Sequence, residues 1–177
     1  LGYSYVGIDI SQRQIDTNYE QLKDIPKAEL LVKYIVGDSL QIDSLLQPEE
    51  QYDFVFSCPP YYDLEKYTDD PGDLSNKETY TDFEQTHTQI IKNSVARLKD
   101  DRFAVFVVGD IRDNDGYYRG FVKDTIVAFE AAGAKLYNEI VLLNAVGTAA
   151  IRSRRPFSQN RKVTKVHQNV LVFYKGD

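Results

Sequence analysis

A chain of 177 residues, 42% hydrophobic and 27% charged, is long enough to bury one sizeable core and reads as a single soluble globular domain of net charge −6. No apolar run approaches the ~20 residues of a membrane span and no signal-peptide pattern is present, so a cytoplasmic protein is the plain reading. The lone cysteine, Cys58, excludes an intramolecular disulfide and a cysteine-based metal cluster, and two well-separated histidines, His87 and His167, argue against a zinc site.

In chain order, Gly2 to Ile10 reads as a strand, and Ser11 caps a helix running to about Asp24, with Ile15, Tyr19 and Leu22 on one face. Leu30 to Val36 is a second apolar run, closed by Gly37-Asp38-Ser39, and a short helical piece spans Ile42 to Leu46. A third strand, Phe54 to Ser57, runs into Cys58-Pro59-Pro60-Tyr61-Tyr62. The polar stretch from Asp63 to Asn76 contains Asp-Asp-Pro-Gly-Asp, the signal of a turn in a mobile loop. Thr79 starts a long helix, with Asp82 placed for a capping box and Tyr80, Phe83, His87, Ile91, Val95 and Leu98 at helical spacing. Phe103 to Val108 is a fourth strand, ending at Gly109-Asp110. Phe121 to Ala132 is a helix stopped by Gly133, and Leu136 to Leu143 and Val166 to Tyr174 are two last strands separated by a basic loop. Strands alternate with helices until that final pair. The pattern predicts an α/β domain with a mainly parallel sheet and an antiparallel strand at its C-terminal end.

Charge is segregated along the chain. From Val141 through Gly176 there is no acid, and Arg152, Arg154, Arg155, Arg161, Lys162 and Lys165 cluster together. Such a stretch makes a local positive field able to attract phosphates despite the acidic total. A solvated basic loop is the alternative.

In an open α/β sheet, ligands collect at the C-terminal ends of the strands. Four strands here end in polar residues: Asp9, Asp38, Cys58 with its prolines, and Asp110. Prolines cannot donate to a ladder and stiffen the residue before them, so Cys58-Pro59-Pro60 is a rigid stop to a buried strand. Asp9, with Ile10 beside it, is placed to accept hydrogen bonds from ribose hydroxyls, and Asp38 with Ser39 to reach an adenine amino group. Taken singly, each also fits an ordinary helix cap.

With these residues in order, the chain resembles the class I S-adenosylmethionine-dependent methyltransferases, specifically those that methylate exocyclic amino groups of adenine or cytosine in DNA. Its general form is similar to phage and bacterial stand-alone methylases, some of them partners in restriction-modification. The resemblance rests on Cys58-Pro59-Pro60-Tyr61 in the place of the signature loop, on Asp9 and Asp38, and on the closing strand Val166 to Gly176. It implies a Rossmann-like sheet, S-adenosylmethionine as cofactor and DNA as partner. It also implies a catalytic centre of Cys58, Pro59, Pro60 and Tyr61, with Asp9, Ile10, Asp38 and Ser39 holding the nucleoside half of the cofactor. Residue 58 and the Pro59 carbonyl would accept from the target amine, Tyr61 would stack on the base once it leaves the duplex, and the basic loop would hold phosphates, with Phe157 wedged against bases. Tyr62 and Tyr67 either assist base binding or pack the loop, and His87 reads as a core residue.

Two departures from the family pattern shape the expectations. The family places Asp, Asn or Ser before Pro-Pro, whereas here stands Cys58, a weak acceptor as a neutral thiol. Cys58 is then a working substitute, or marks a slow or inactive site, or is a nucleophile that attacks a pyrimidine ring. The sequence also lacks the family's glycine-rich loop and the strand before it, so the expectation is an N-terminally incomplete domain, completed by an upstream segment or a second polypeptide. The rival activities are methylation of RNA or of a protein amide; the non-enzyme rival is a degenerate fold that only binds nucleic acid or protein.

Overall fold

A computed structural model describes residues 3–25, 32–144 and 149–177, with the side chains of 149–153 and 155 outside the description. The chain divides into two compact units: Leu1–Glu50 with Tyr62–Ser94, and Gln51–Tyr61 with Val95–Asp177.

The first unit opens with β1 (Tyr5–Asp9), α1 (Gln12–Leu22) and β2 (Val32–Val36). The Ser11 hydroxyl accepts the amide of Gln14 and so caps α1, as its place before the apolar periodicity predicts. Ile15 and Leu22 are buried, while Tyr19 is exposed and bonds through its hydroxyl to the backbone of Tyr34. β1 and β2 run parallel, with Asp9 opposite Val36 and the Gly37 amide donating to the Asp9 carbonyl. The part of the predicted second strand before Val32 lies outside the described residues. A 3-10 turn (Ser39–Gln41) and α2 (Ile42–Leu45) follow.

The long helix α3 (Tyr80–Arg97) starts where the capping box predicts: the Asp82 amide donates to the Thr79 hydroxyl at 3.1 Å. Its Phe83, His87 and Ile91 are buried, and His87 stacks parallel on Phe83 with ring centres 5.7 Å apart. His87 is therefore the core residue its helical spacing predicts. Burial, which disfavours the charged imidazolium, lowers its pKa to about 4.

The second unit holds a four-stranded sheet, ordered β3 (Tyr52–Ser57), β4 (Leu98–Val108), β6 (His167–Lys175), β5 (Lys135–Leu143). β3 and β4 are parallel, and β6 runs antiparallel to both of its neighbours. The parallel pairs and the antiparallel closing strand are those the element order predicts. β4 begins at Leu98, before the apolar run Phe103–Val108, and its register against β3 shifts between Tyr52 and Phe54. Asp101, at φ 58°, sits in that irregular stretch. The sequence pattern misses the early start because a bulged, charged strand end carries no period.

α4 (Phe121–Ala131) packs on β5 and β6 and ends where Gly133 takes a left-handed φ of 92°, the conformation for which glycine has no Cβ penalty. Phe129 of this helix stacks on Phe173 at 3.8 Å and meets the Phe106 ring edge-on at 4.8 Å. These rings and Leu171 form the centre of this core. Both outer strands present apolar side chains to solvent, Phe54 and Phe56 on β3 and Tyr137, Ile140 and Val141 on β5.

One expectation is corrected. The basic stretch is not a loop throughout: Ala149–Asn160 is a helix, α5, with Pro156 inside it. Arg161 ends it in the left-handed region at φ 54°, its amide bonded to the Phe157 carbonyl and that of Lys162 to the Pro156 carbonyl. An internal proline and few apolar residues hide this helix from a periodicity argument.

Candidate active site

In the first unit, Asp9 and Asp38 stand at the same ends of paired parallel strands. Asp9 accepts the Ser11 amide at 2.8 Å through Oδ1, and Asp38 accepts the Leu40 amide at 2.8 Å through Oδ1. Each carboxylate thus caps the turn after its strand through one oxygen. The capping alternative is the one these bonds show. Ile10 and Ser39 are both half-buried beside them.

The segment after Tyr62 enters this neighbourhood. Sequence composition predicts a mobile loop, but Asp73 is buried and gathers it: its carboxylate accepts the amide and hydroxyl of both Thr68 and Ser75, at 2.8 to 2.9 Å. Burial opposes the charge of Asp73, yet these donations outweigh it and hold the carboxyl below its ordinary range. Asn76 closes the other side by donating to the carbonyls of Thr68 and Asp70. The loop lays Gly72 so close to the strand ends that a Cβ there would lie 2.9 Å from Ile10 Cδ1 and 3.2 Å from Asp38 Oδ2. Gly72 is a wall of the Asp38 neighbourhood that sequence reading missed. Its one signal is the Pro-Gly pair, which by itself marks a turn and no more.

In the second unit, the strand-ending loop holds Pro59 buried and Cys58 exposed. The loop withdraws enough solvent from the sulfur to push the Cys58 thiol above its ordinary value, partly opposed by a hydrogen bond from Tyr61. The thiol is therefore protonated at neutral pH, and the thiolate is not its resting form.

Tyr61 is half-buried and tied at its far end. Its hydroxyl donates to the Val107 carbonyl at 3.3 Å and accepts from Gln168 Nε2 at 2.8 Å. Its ring meets Phe121 edge-on at 5.7 Å, and a Cβ on Gly109 would lie 3.4 Å from its Cε2. Tyr62, at φ 53°, is buried instead in the first unit against Tyr80 and Phe83, and its hydroxyl donates to the Glu78 carbonyl. It packs the loop as the alternative reading expects, but against helix α3 in place of the sheet. Tyr67 is exposed.

Because β6 starts where β3 and β4 end, its first residues join the motif loop. Lys165 Nζ donates to Asn169 Oδ1 at 3.3 Å. Desolvation lowers the Lys165 pKa, against the opposing pull of the Asp110 and Glu139 carboxylates. Asp110 also accepts the Val122 amide at the start of α4, at 3.2 Å. Gln168 and Asn169 are legible in the sequence only as polar residues opening an apolar strand. Of the predicted phosphate-binding residues, Arg154 and Arg161 are exposed, Lys162 is half-buried, and the side chains of Arg152 and Arg155 lie outside the described residues. Phe157 is exposed.

Among the described residues no group of acids, histidines or cysteines is placed to hold a metal ion, and no helix is long and apolar enough to cross a membrane. No family model and no curated protein matches the sequence. Solved structures do. TTHA0409 from Thermus thermophilus, a candidate DNA modification methylase solved in complex with S-adenosyl-L-methionine, superposes with a TM-score of 0.58 at 21% identity, over 80% of this chain and 54% of that one. The fold is methyltransferase-like. The N-methyltransferase NodS from Bradyrhizobium japonicum is similar at TM-score 0.56 and 13% identity, over 98% of this chain and 74% of that one. TrmN from Thermus thermophilus gives 0.57 at 9% identity, over 97% and 36% respectively. The chain spans about half the length of the TTHA0409 structures.

Proposed function

We propose that the protein transfers a methyl group from S-adenosylmethionine to an exocyclic amino group of adenine or cytosine in DNA. The observation that carries this reading is the Cys58-Pro59-Pro60-Tyr61 loop, with its Tyr61 ring beside Gly109, at the C-terminal end of a strand in a methyltransferase-like fold. The likeness to TTHA0409 supports DNA over other substrates, and NodS supports nitrogen as the acceptor atom.

The chemistry assigns each residue a task. The cofactor would supply a methyl carbon made electrophilic by its sulfonium. Asp9 and Asp38 would hold the nucleoside half through the oxygens left over from capping. The Pro59 carbonyl and the Cys58 sulfur would accept from the two N–H bonds of the amine, drawing its lone pair out of the ring and toward the methyl. Attack of the amine nitrogen on that methyl carbon would displace the sulfur as a neutral thioether, and the amine would shed one proton to solvent. Positioning supplies much of the acceleration in such an in-line displacement. Arg154, Arg161 and Lys162 would meet phosphates, with Arg152 and Arg155 in the same stretch of sequence. Among the described residues β3 is an edge of its sheet, with Phe54 and Phe56 exposed, which supports a further strand supplied by an upstream segment or a second polypeptide.

One observation favours a second reading. The protonated Cys58 is a poor acceptor, which suits a degenerate fold retained for binding. Incubating the full-length protein with methyl-labelled S-adenosylmethionine and mixed-sequence DNA, then identifying labelled nucleosides by mass spectrometry, separates the two. Label on an adenine or cytosine amino group is expected. Label on carbon-5 of cytosine would make Cys58 a nucleophile, and binding without label would favour the degenerate fold.

A further inference from the structure

We propose that Gln168 is a positioning residue for Tyr61: it holds the motif's tyrosine hydroxyl so that the ring and the neighbouring Cys58 keep one geometry before substrate arrives. The proposal rests on the amino-methyltransferase reading above and adds to it a residue outside the signature loop.

Three observations carry it. Gln168 Nε2 donates to Tyr61 Oη at 2.8 Å, a shorter bond than that hydroxyl's own donation to the Val107 carbonyl at 3.3 Å. Gln168 also sits on β6, the interior strand hydrogen-bonded on both sides by β4 and β5, and is itself paired with Leu142. Its backbone is therefore well anchored in the second unit, which suits a residue that must hold another in place. Finally, the ring is confined on two sides, by the Phe121 edge at 5.7 Å and by Gly109. With the hydroxyl fixed as well, little rotation remains. A ring immobilised in advance avoids the ordering cost that a loose aromatic would meet on binding a base.

Proton accounting extends the effect to Cys58. A phenol has one proton and can accept elsewhere through its oxygen. With Gln168 donating into that oxygen, the single Tyr61 proton is left for one acceptor at a time, the Val107 carbonyl or the Cys58 sulfur. Donation into a hydroxyl also strengthens that hydroxyl as a donor. Loss of the Gln168 amide thus loosens Tyr61 and weakens its contact with the thiol together.

The test uses the full-length protein with Gln168→Met, Tyr61→Phe and the double variant. Two quantities are read: kcat and KM for methyl transfer to DNA, and the pH profile of Cys58 alkylation by iodoacetamide, followed at its own peptide. Gln168→Met is expected to lower kcat by up to about tenfold, the worth of one hydrogen bond, leave KM for the cofactor unchanged and move the Cys58 profile to higher pH. Tyr61→Phe should do the same to the profile. In the Tyr61→Phe background, Gln168→Met should add less than about twofold, since its partner atom is gone. An unmoved profile with full activity in Gln168→Met, or full multiplication of the two effects, overturns the proposal. Should Gln168→Met fail to fold, Gln168→Glu keeps size and polarity but replaces the donor with an acceptor, and the same loss of kcat is expected. A wild-type protein that transfers no methyl to DNA sinks the functional reading instead, while the alkylation arm still decides whether Gln168 acts on Cys58 through Tyr61.

Discussion

At the residue scale, Cys58 and His87 show how a local environment sets a group's chemistry. The Cys58 thiol is pushed up by desolvation, so under the proposed function it would meet a substrate amine as a neutral, weak acceptor. Replacement by serine, similar in size and a better acceptor, should raise methyl transfer several-fold. Cys58→Ala should abolish transfer and leave DNA binding intact. Both are read from labelled nucleosides and a binding titration. His87, with its pKa lowered to about 4, works through stability. Between its ordinary 6.5 and about 4 the unfolded chain binds a proton that the folded chain refuses. Its contribution is therefore complete above pH 6.5 and is lost as the pH falls to about 4, a change on the order of 3 kcal/mol. Denaturant melts across that window should show the loss, and His87→Phe should flatten it. The helical spacing of His87 with Phe83 and Ile91 made its burial legible. The size of its pKa shift was not, because that depends on neighbours brought in by packing.

At the element scale, the loop from Thr68 to Asn76 departs furthest from its sequence reading. Gly, Pro and acids signal a turn, and composition alone leaves such a turn mobile. What closes it is the direction of the Asp73 carboxylate, inward toward Thr68 and Ser75, which no composition encodes. Asp73→Ala should cost roughly 2–3 kcal/mol locally, the worth of hydrogen bonds to a charged group left unmade, and speed hydrogen exchange at the Thr68 and Ser75 amides. Since the Asp73 pKa lies below its usual value, the contribution is present above the ordinary carboxylate range and is lost as the pH falls through the depressed pKa. α5 is the converse case. Its helical state was hidden by Pro156, whereas α1, α3 and α4 were legible because Ser11, the Thr79–Asp82 box and Gly133 mark their ends.

At the scale of the whole molecule, the acidic total conceals a C-terminal stretch without acids. If Arg154 and Arg161 contact phosphates, neutralising both should weaken DNA binding alike for all sequences. It should also reduce the slope of log affinity against log salt by about two. A titration over a range of salt concentrations checks it, and an unchanged slope removes these residues from the interface. The order of the strands and of α1 to α4, the antiparallel last strand and the polar residues that end four of the strands were legible along the chain, because period, caps and prolines are local signals. It took the packed chain to let Gln168, more than a hundred residues from Tyr61 in sequence, grip its hydroxyl, and to lay Gly72 against Asp38. Those contacts depend on which strands become neighbours and which way their side chains point, and sequence spacing does not carry that information.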